Sequence, residues 1–562
     1  MLKRTILAMA LSFAVLLVFQ MYLEKQQKKV KPDNSQTEVA KKKEKKPAAS
    51  EKVIPDKAVM THRVVKSPVK RKTASGGRVP PRSITIDTPL YKAVMTTAGG
   101  GFTRFELKKY ADQPGETEKG VNIIGADGEE NVPYGIFTGE TNPPIPPEIV
   151  FSTSAESVKV EGIEPQQVNL LWKSSHGLEI VRSYTFHADS YVVEIKTEYR
   201  NGTGTFAEIT PGVELSQIYT EVLKGDKYSF KGLVANIGSD VKRFTVEKIA
   251  KGKGPKANAN WVALDSKYFT LGCITSHSAK VAKSLPLGEK GIKALFLEDK
   301  KRLNVGDSYI FTIIAYLGPK DSNTLKNVGS GFESVLDYGF FGWIAKPLVL
   351  LLKYSNGVTG NYGIDIILLT IIIKILFYPL TRKSYVSMKK MQEIQPILKK
   401  VQDKHKGDKQ RLNQEVMSLY KTYKINPLSG CMPMVLQIPV FFALYKALLV
   451  AIELRHAPFM WWINDLSAAE HLWDIHLAGY ALPIRLLPLL MGVSMYVQQK
   501  MSPSSGVDPT QQKLMNLLPL IFTFMFWSFP SGLVLYWLVN NIITIGQQSF
   551  IMKGKDKEAV KA

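Results

Sequence analysis

Hydrophobic positions along the chain fall into two regimes. An unbroken apolar run covers residues 5–23, and predominantly apolar runs cover 362–380, 431–454, 480–497, 514–529 and 532–551, each near the ~20 residues that a helix needs to cross the hydrocarbon core of a bilayer. Between the first and the second, residues 83–319 alternate apolar and polar positions in short runs, such as Ser157-Val158-Lys159-Val160-Glu161 and Val193-Glu194-Ile195-Lys196, punctuated by Gly, Pro, Asn and Asp. A period of two puts one face of each run on a core and the other in water, so this region is predicted to be a soluble antiparallel β-sandwich. The chain is therefore expected to be a membrane protein: an α-helical core of five transmembrane helices over residues 362–551, a transmembrane anchor at residues 1–23, and the sheet domain between them.

Lys3 and Arg4 precede the first run; they hold that end in the cytoplasm and send the downstream chain across the membrane. A cleaved signal peptide is the competing reading, and against it stand the length of the run and the lack of a small-x-small site before Glu24. Residues 24–82 are rich in Lys, Pro, Ser and Val with almost no aromatics, the composition of a disordered tether. Residues 332–353 interleave Leu336, Phe340, Phe341, Trp343, Ile344 and Leu348 with Asp337, Lys346 and Lys353, the pattern of an amphipathic helix lying in the membrane interface. Residues 384–424 are highly charged. Within them Met388, Met391, Ile394, Leu398 and Val401 recur at helical spacing, Lys406-Gly407-Asp408 breaks the pattern, and Leu412, Val416, Leu419 and Tyr423 resume it. A helical hairpin is expected there, stopped by Asn426-Pro427, and it is either a solvated connection or a mobile basic docking arm.

Charge sets the orientation. Arg382, Lys383, Lys389 and Lys390 follow the second run, Lys500 the fourth, and Lys553, Lys555 and Lys557 the sixth, at the start of a basic tail over residues 552–562. Six spans with both termini cytoplasmic satisfy the positive-inside rule. The 562 residues carry 73 Lys+Arg against 49 Asp+Glu, a formal net charge of +24, with 45% hydrophobic and 22% charged residues. That composition excludes wholesale disorder and a collagen-like fibre, and two cysteines, Cys273 and Cys431, exclude a Cys-rich metal centre. Placed on opposite sides of a membrane, both read as small buried apolar residues. Asn201-Gly202-Thr203 fits a glycosylation sequon, while His176, His187 and His277 are scattered rather than set at ligand spacing.

Polar groups inside the runs carry the candidate chemistry. Lys374 stands in Ile371-Ile372-Ile373-Lys374-Ile375-Leu376-Phe377, eight positions before Arg382, which at 1.5 Å per residue is roughly 12 Å deep. An ammonium there costs about 2.5–3.5 kcal/mol unless it faces water or a partner. Thr370 lies at i−4 on the same face; Tyr536 and Asn540 are four apart on the last run with Trp537 adjacent, and Gln437 lies about two turns into the third. Together they are predicted to line one hydrated cavity. Each also has a plainer reading: Lys374 snorkelling to the interface, Gln437 and Asn540 as interhelical glue, Tyr536 or Trp537 as interface anchors. Lys446, Glu453 and Arg485 lie nearer the opposite face, where snorkelling or a local ion pair accounts for them. The sequence has no nucleotide-phosphate loop, no His-Glu-x-x-His and no Gly-x-Ser-x-Gly, and it asks for no cofactor or metal.

Four motifs remain: Phe377-Tyr378-Pro379-Leu380-Thr381, Asn426-Pro427-Leu428-Ser429-Gly430-Cys431-Met432-Pro433, Glu453-Leu454-Arg455-His456-Ala457-Pro458-Phe459, and Phe529-Pro530-Ser531-Gly532-Leu533-Val534-Leu535-Tyr536-Trp537. In that order, over roughly residues 339–562, they resemble the bacterial YidC membrane-protein insertase family, whose Gram-negative form the anchor and large sheet domain resemble in architecture. The resemblance implies a multi-pass protein of the bacterial inner membrane, with a periplasmic β domain and a five-helix core around a hydrophilic groove open to cytoplasm and lipid. The family's signature cation, arginine in many members, corresponds to Lys374, which keeps the charge and loses the planar fork; Thr370, Gln437, Tyr536, Trp537 and Asn540 correspond to the groove's polar lining. It further implies a non-enzymatic insertase that moves transmembrane segments and short extracellular tails of nascent membrane proteins into the membrane without ATP, alone or with the Sec translocon. The ribosome would dock at its cytoplasmic face, with membrane lipids around it and no sequence-specific nucleic-acid binding. Two other classes compete. A small-anion or proton-coupled transporter would show internal repeats with broken helices, which the sequence lacks, and a carbohydrate-binding sheet module on a mere anchor would not need five further spans.

Overall fold

The computed structural model describes residues 80–115, 119–125, 131–220, 223, 229–288, 290–405, 407–423, 432–477, 480–501 and 509–553. The expected anchor, nearly all of the tether, Asn426-Pro427, Cys431 and most of the basic tail lie outside the described residues.

Alternation in the sequence becomes paired strands. Leu178–Phe186 buries every second residue and pairs antiparallel with Val192–Asn201, setting Ile180 opposite Tyr199 and Tyr184 opposite Ile195. Eleven strands join one large sheet, whose main path runs Asp240–Thr245, Gly232–Ile237, Asn258–Asp265, Phe269–Leu287, Ser308–Pro319, Val192–Asn201, Leu178–Phe186 and Gln166–Lys173. A five-stranded sheet, ordered Gly120–Asn122, Phe102–Ala111, Tyr91–Thr96, Ser83–Asp87 and Ser157–Lys159, lays its aromatic face against it. Phe102 meets Tyr134 and Tyr184 edge-on, with ring centroids 6.1 and 6.3 Å apart. Between the sheets the buried Arg182 donates to the carbonyls of Gly99 and Tyr134, both at 2.9 Å. The expectation of a wholly antiparallel domain is corrected: Ser83–Asp87 runs parallel to Ser157–Lys159, with Thr85 opposite Ser157. The intervening chain is long enough for the crossover that a parallel pair requires, and no hydropathy pattern distinguishes the two directions.

Two short helices come next in this domain, α1 (Val246–Ala250) and α2 (Ser322–Val328), the latter capped by Asp321, which accepts from the Asn323 and Thr324 N–H groups. The amphipathic helix expected over residues 332–353 begins only at Gly342, as α3 (Gly342–Thr359). Phe332 instead wedges between Trp261 and Tyr316, 5.1 and 5.6 Å away, above Gly272, where a Cβ would come within 2.2 Å of its ring. Burial of Phe332 in the sheet domain's core overrides the helical period. On α3 itself Ala345, Val349 and Leu352 are buried, while Trp343, Leu350, Tyr354 and Val358 form an exposed apolar stripe.

The remaining helices are α4 (Tyr362–Glu393), α5 (Gln395–Lys404), α6 (Lys409–Thr422), α7 (Met432–Val450), α8 (Leu486–Met501), α9 (Pro509–Phe526) and α10 (Ser531–Lys553). Asn361 caps α4 through the Gly363 and Ile364 N–H groups, and the helix passes Leu380 without a break, thirteen residues further than the apolar run. At Pro379 it loses one internal bond, because proline has no N–H to give the Ile375 carbonyl. The run over 480–497 also needs correction. Tyr480–Ile484 is a strand paired with Trp473–Leu477, and the helix starts at Leu486, its Leu487 N–H bonded to Glu470. Pro483, just before, is a poor helical residue at that point, and apolar content alone does not tell such a strand from a helix turn. Among the described residues one helix, Tyr362–Glu393, is long and apolar enough to cross a membrane, and Gln437–Val450 and Asn516–Phe526 are shorter apolar stretches.

Helices α3 and α7 pack together, α10 packs on α4 and α8, and α8 on α9. One continuous buried cluster runs from the sheet domain through Phe332 and Val335 to Ala345 and Val349 of α3 and to Ala443 and Ala447 of α7. Polar clamps reinforce this joint. Lys353 lies between Asp321 at 2.6 Å and Glu453 at 2.5 Å, Lys446 pairs with Asp337 at 3.1 Å, and Arg455 donates to the carbonyls of Ala111 and Asp112 at 2.7 and 3.3 Å. Lys446 and Glu453 thus have the local ion pairs expected of them, and Arg485 donates to the Trp527 carbonyl. The sequon is a structural knot: Asn201 is 1% exposed, and its amide donates to the carbonyls of Thr205, Leu303 and Asn304. Cys273 is fully buried.

Candidate functional site

The polar residues of the helical layer meet along α10. This helix has small or polar residues at Asn540, Thr544 and Gln548, four apart and therefore on one face, and all three are buried. Thr544 donates its hydroxyl to the Asn540 carbonyl one turn back, at 2.6 Å, the usual way a helical threonine satisfies itself in apolar surroundings. Its oxygen then accepts from Lys374 Nζ of α4 at 2.7 Å. One turn nearer the helix start, Gln437 of α7 donates to Asn540 Oδ1 at 2.6 Å. A chain of hydrogen bonds thus links three helices, from Gln437 through Asn540 and Thr544 to Lys374.

Lys374 is half-buried, and its helix turns Ile371, Ile372, Ile375 and Leu376 outward. No Asp or Glu pairs with its ammonium among the described residues. Tyr536 is buried, with Gln437 close to its hydroxyl. The other two predicted lining residues stand apart from the chain of bonds. Thr370 is fully buried and turns its hydroxyl back to the Ile366 carbonyl at 2.7 Å, while the Trp537 ring packs against Phe441, Phe526 and Phe522 at 4.7, 5.1 and 6.0 Å.

Sequence reasoning passed over Thr544, Asn541 and Asp365. Asn541 donates to Ser494 Oγ of α8 at 2.9 Å, and Gln548 to the Met501 carbonyl at 2.8 Å. The signal for Thr544 was present, since it repeats the four-residue step from Asn540, but threonine is unremarked in an apolar run. Asp365 is fully buried in the first turn of α4, where it accepts from Asn356 and Thr359 at 2.9 and 2.7 Å and complements the positive end of the helix. Among the described residues no group of three His, Cys, Asp or Glu side chains is placed to hold a metal.

A sheet domain is joined by one core to a helical layer that holds a bonded cation and, among the described residues, one helix long and apolar enough to cross a bilayer. Residues 83–351 match the family model of the YidC periplasmic domain, and residues 354–558 that of the 60Kd inner membrane protein. The chain is 38% identical to the membrane protein insertase YidC of Syntrophus aciditrophicus (strain SB) over 98% of this chain and 99% of that one. It is 39% identical to that of Geobacter sulfurreducens over 83% and 85%. The chain belongs to the YidC family of inner-membrane protein insertases, and its sheet-rich region is the periplasmic domain. A solved active YidC insertase, with its first transmembrane domain resolved, covers 82% of this chain and 90% of its own at 16% identity and a TM-score of 0.33.

Proposed function

We propose that this chain inserts transmembrane segments and short extracellular tails of nascent proteins into the inner membrane, with Lys374 receiving acidic residues of the tail as they enter. The observation that carries the reading is an ammonium in an apolar helix whose hydrogen-bond partner is a neutral hydroxyl, with no carboxylate paired to it among the described residues. Such a cation attracts an anion: a carboxylate at 4 Å gains about 4 kcal/mol at an effective dielectric constant of about 20, which offsets much of the cost of drawing it into the layer. Lys374, Gln437, Asn540 and Tyr536 line a hydrophilic groove, with Thr370 and Trp537 in the wall behind it, in a core of five spans with the N-terminal anchor as a sixth and both termini cytoplasmic. The groove shortens the distance a polar tail must cross. The apolar segment then leaves for lipid, driven by about 25 cal/mol per Å² of buried apolar surface rather than by ATP. No covalent bond is made or cut, so the protein is not an enzyme. The basic arms α5 and α6 and the C-terminal lysines face the ribosome, the Sec translocon or anionic lipid, and contact with ribosomal RNA is electrostatic, without sequence readout. The transporter alternative finds no support among the relatives.

The test is reconstitution of the purified protein into liposomes without nucleotide, with a short single-span substrate carrying an acidic tail. Wild type is expected to render the tail protease-protected, and Lys374→Ala to lose that protection while remaining folded in the membrane. Equal protection by both would remove Lys374 from the mechanism, and protection by neither would refute autonomous insertion.

A further inference from the structure

Lysine is a flexible point charge on a four-carbon stem, and in an apolar helix it has two resting places. It can stretch along its own helix toward the charged end, where Arg382 and Lys383 begin, or it can fold inward onto a polar group. The structure holds it inward, and among the described residues one atom does so: Thr544 Oγ1, 2.7 Å from Nζ. That oxygen is committed as an acceptor, because its own proton goes to the Asn540 carbonyl at 2.6 Å. The Asn540 side chain in turn accepts from Gln437 at 2.6 Å, which ties this turn of α10 to α7. An ammonium has three protons; Thr544 takes one and leaves the others for an incoming anion.

We propose that Thr544 is a positioning residue for insertion: its hydroxyl holds the Lys374 ammonium inside the helical layer, facing α10, and so gives the protein its preference for acidic tails. This rests on the proposed groove and its use of Lys374. It also explains why a lysine serves at this position, since a compact ammonium needs one acceptor to fix it, where a planar guanidinium would be aligned by its own fork. Valine at 544 keeps the shape and removes the acceptor, so the lysine relaxes outward and the anion site loses its geometry, while the packing of α10 on α4 is kept.

The experiment compares wild type, Thr544→Val, Thr544→Ser, Lys374→Ala and the Thr544→Val/Lys374→Ala double variant in liposomes. The substrates are one single-span protein with an acidic tail and the same protein with Asn and Gln in place of the tail's Asp and Glu. Thr544→Val is expected to lower protection of the acidic tail about tenfold, the equivalent of about 1.4 kcal/mol, and to leave the neutral tail within about twofold. Thr544→Ser is expected to restore the acidic tail, and Thr544→Val to add nothing once Lys374 is alanine. Equal loss for both tails, or a full further loss in the double variant, would make Thr544 a packing residue and overturn the proposal. Normal Thr544→Val with impaired Lys374→Ala would overturn it and spare the proposed groove, whereas a Lys374→Ala variant that does not discriminate between tails would bring both down. If Thr544→Val does not accumulate, Thr544→Ala against Thr544→Ser carries the same comparison.

Discussion

Lys353→Met removes the cation from between two carboxylates and keeps most of the apolar stem. In wild type the ammonium lies 2.6 Å from Asp321 and 2.5 Å from Glu453, with the three side chains only 23%, 22% and 17% exposed. Burial alone would lower the lysine, but the Glu453 and Asp321 carboxylates outweigh it and push its pKa up to about 12. Burial alone would raise Asp321, but the Lys353 ammonium and the Thr324 N–H hold its carboxyl below the ordinary range. The lysine's contribution is complete below its unfolded value of 10.5 and is lost as pH rises toward about 12. The aspartate's is present above its unfolded value of 3.8 and is lost as pH falls through its lower folded value. Neither Lys353 nor Asp321 should therefore contribute a titration to wild-type stability between about pH 5 and pH 9.

With methionine at 353, the two carboxylate oxygens are left at most about 5 Å apart, which at an effective dielectric constant of about 20 is a repulsion of about 3 kcal/mol. Residual solvent access reduces this to about 2 kcal/mol. Protonating either carboxylate relieves it, so the variant should regain stability toward acid where wild type does not. The measurement is thermal unfolding of the detergent-solubilised protein, followed by tryptophan fluorescence, at several values between about pH 5 and pH 8. A domain of this size shifts by about 2–4 °C per kcal/mol, so Tm should fall by several degrees at neutral pH, and the deficit should shrink in acid. A deficit that is the same at every pH would mean lost packing rather than charge, and no deficit would mean that the clamp contributes nothing; either result refutes the reasoning.

Two further predictions concern packing. Cys273 is fully buried, and burial pushes its thiol well up; a maleimide should leave it unlabelled in the folded protein and react only after denaturation, as read by mass spectrometry of the peptide that contains it. Gly363 faces Phe459, and an added Cβ would lie 2.0 Å from that ring. Gly363→Ala should therefore destabilise the protein by about 1–3 kcal/mol, visible as a lower unfolding temperature, and an unchanged temperature would show that the ring yields freely.

What was legible in the sequence came from periods and from isolated charges. Alternation at Val192–Asn201 announced a half-buried strand because each side chain's face is fixed by its position in the pleat, and Lys374 stood out because a charge in an apolar run has few harmless explanations. Less legible was anything decided by distant partners. The turn at Phe332 depends on Trp261 and Gly272, far earlier in the chain; the strand at Tyr480–Ile484 depends on Trp473–Leu477; and the parallel pairing of Ser83–Asp87 leaves no mark on hydropathy. The site divides in the same way. Gln437 and Asn540 could be suspected individually, but their bond, and the role of Thr544 between Asn540 and Lys374, exist only once α4, α7 and α10 are side by side.

The missing bond at Pro379 gives α4 an uneven stiffness. Ahead of Lys374 the helix is pinned: Asn361 caps it and also donates to the Phe459 carbonyl at 2.9 Å, and buried Asp365 ties it to Asn356 and Thr359. Beyond Lys374 the first compliant point comes within about a turn, where Ile375 has no helical donor to receive. The charged end, from Arg382 to Glu393, spans about 16 Å at 1.5 Å per residue and is tied to α10, where Lys389 donates to the Met552 carbonyl at 3.0 Å. Ser384 and Tyr385 of that end are buried as well, and α10 thus receives bonds from lysines on both sides of the proline. The weak point at Pro379 therefore lies between two attachments of α4 to α10, at Thr544 and at Met552, so bending there is limited by the same helix that holds the lysine.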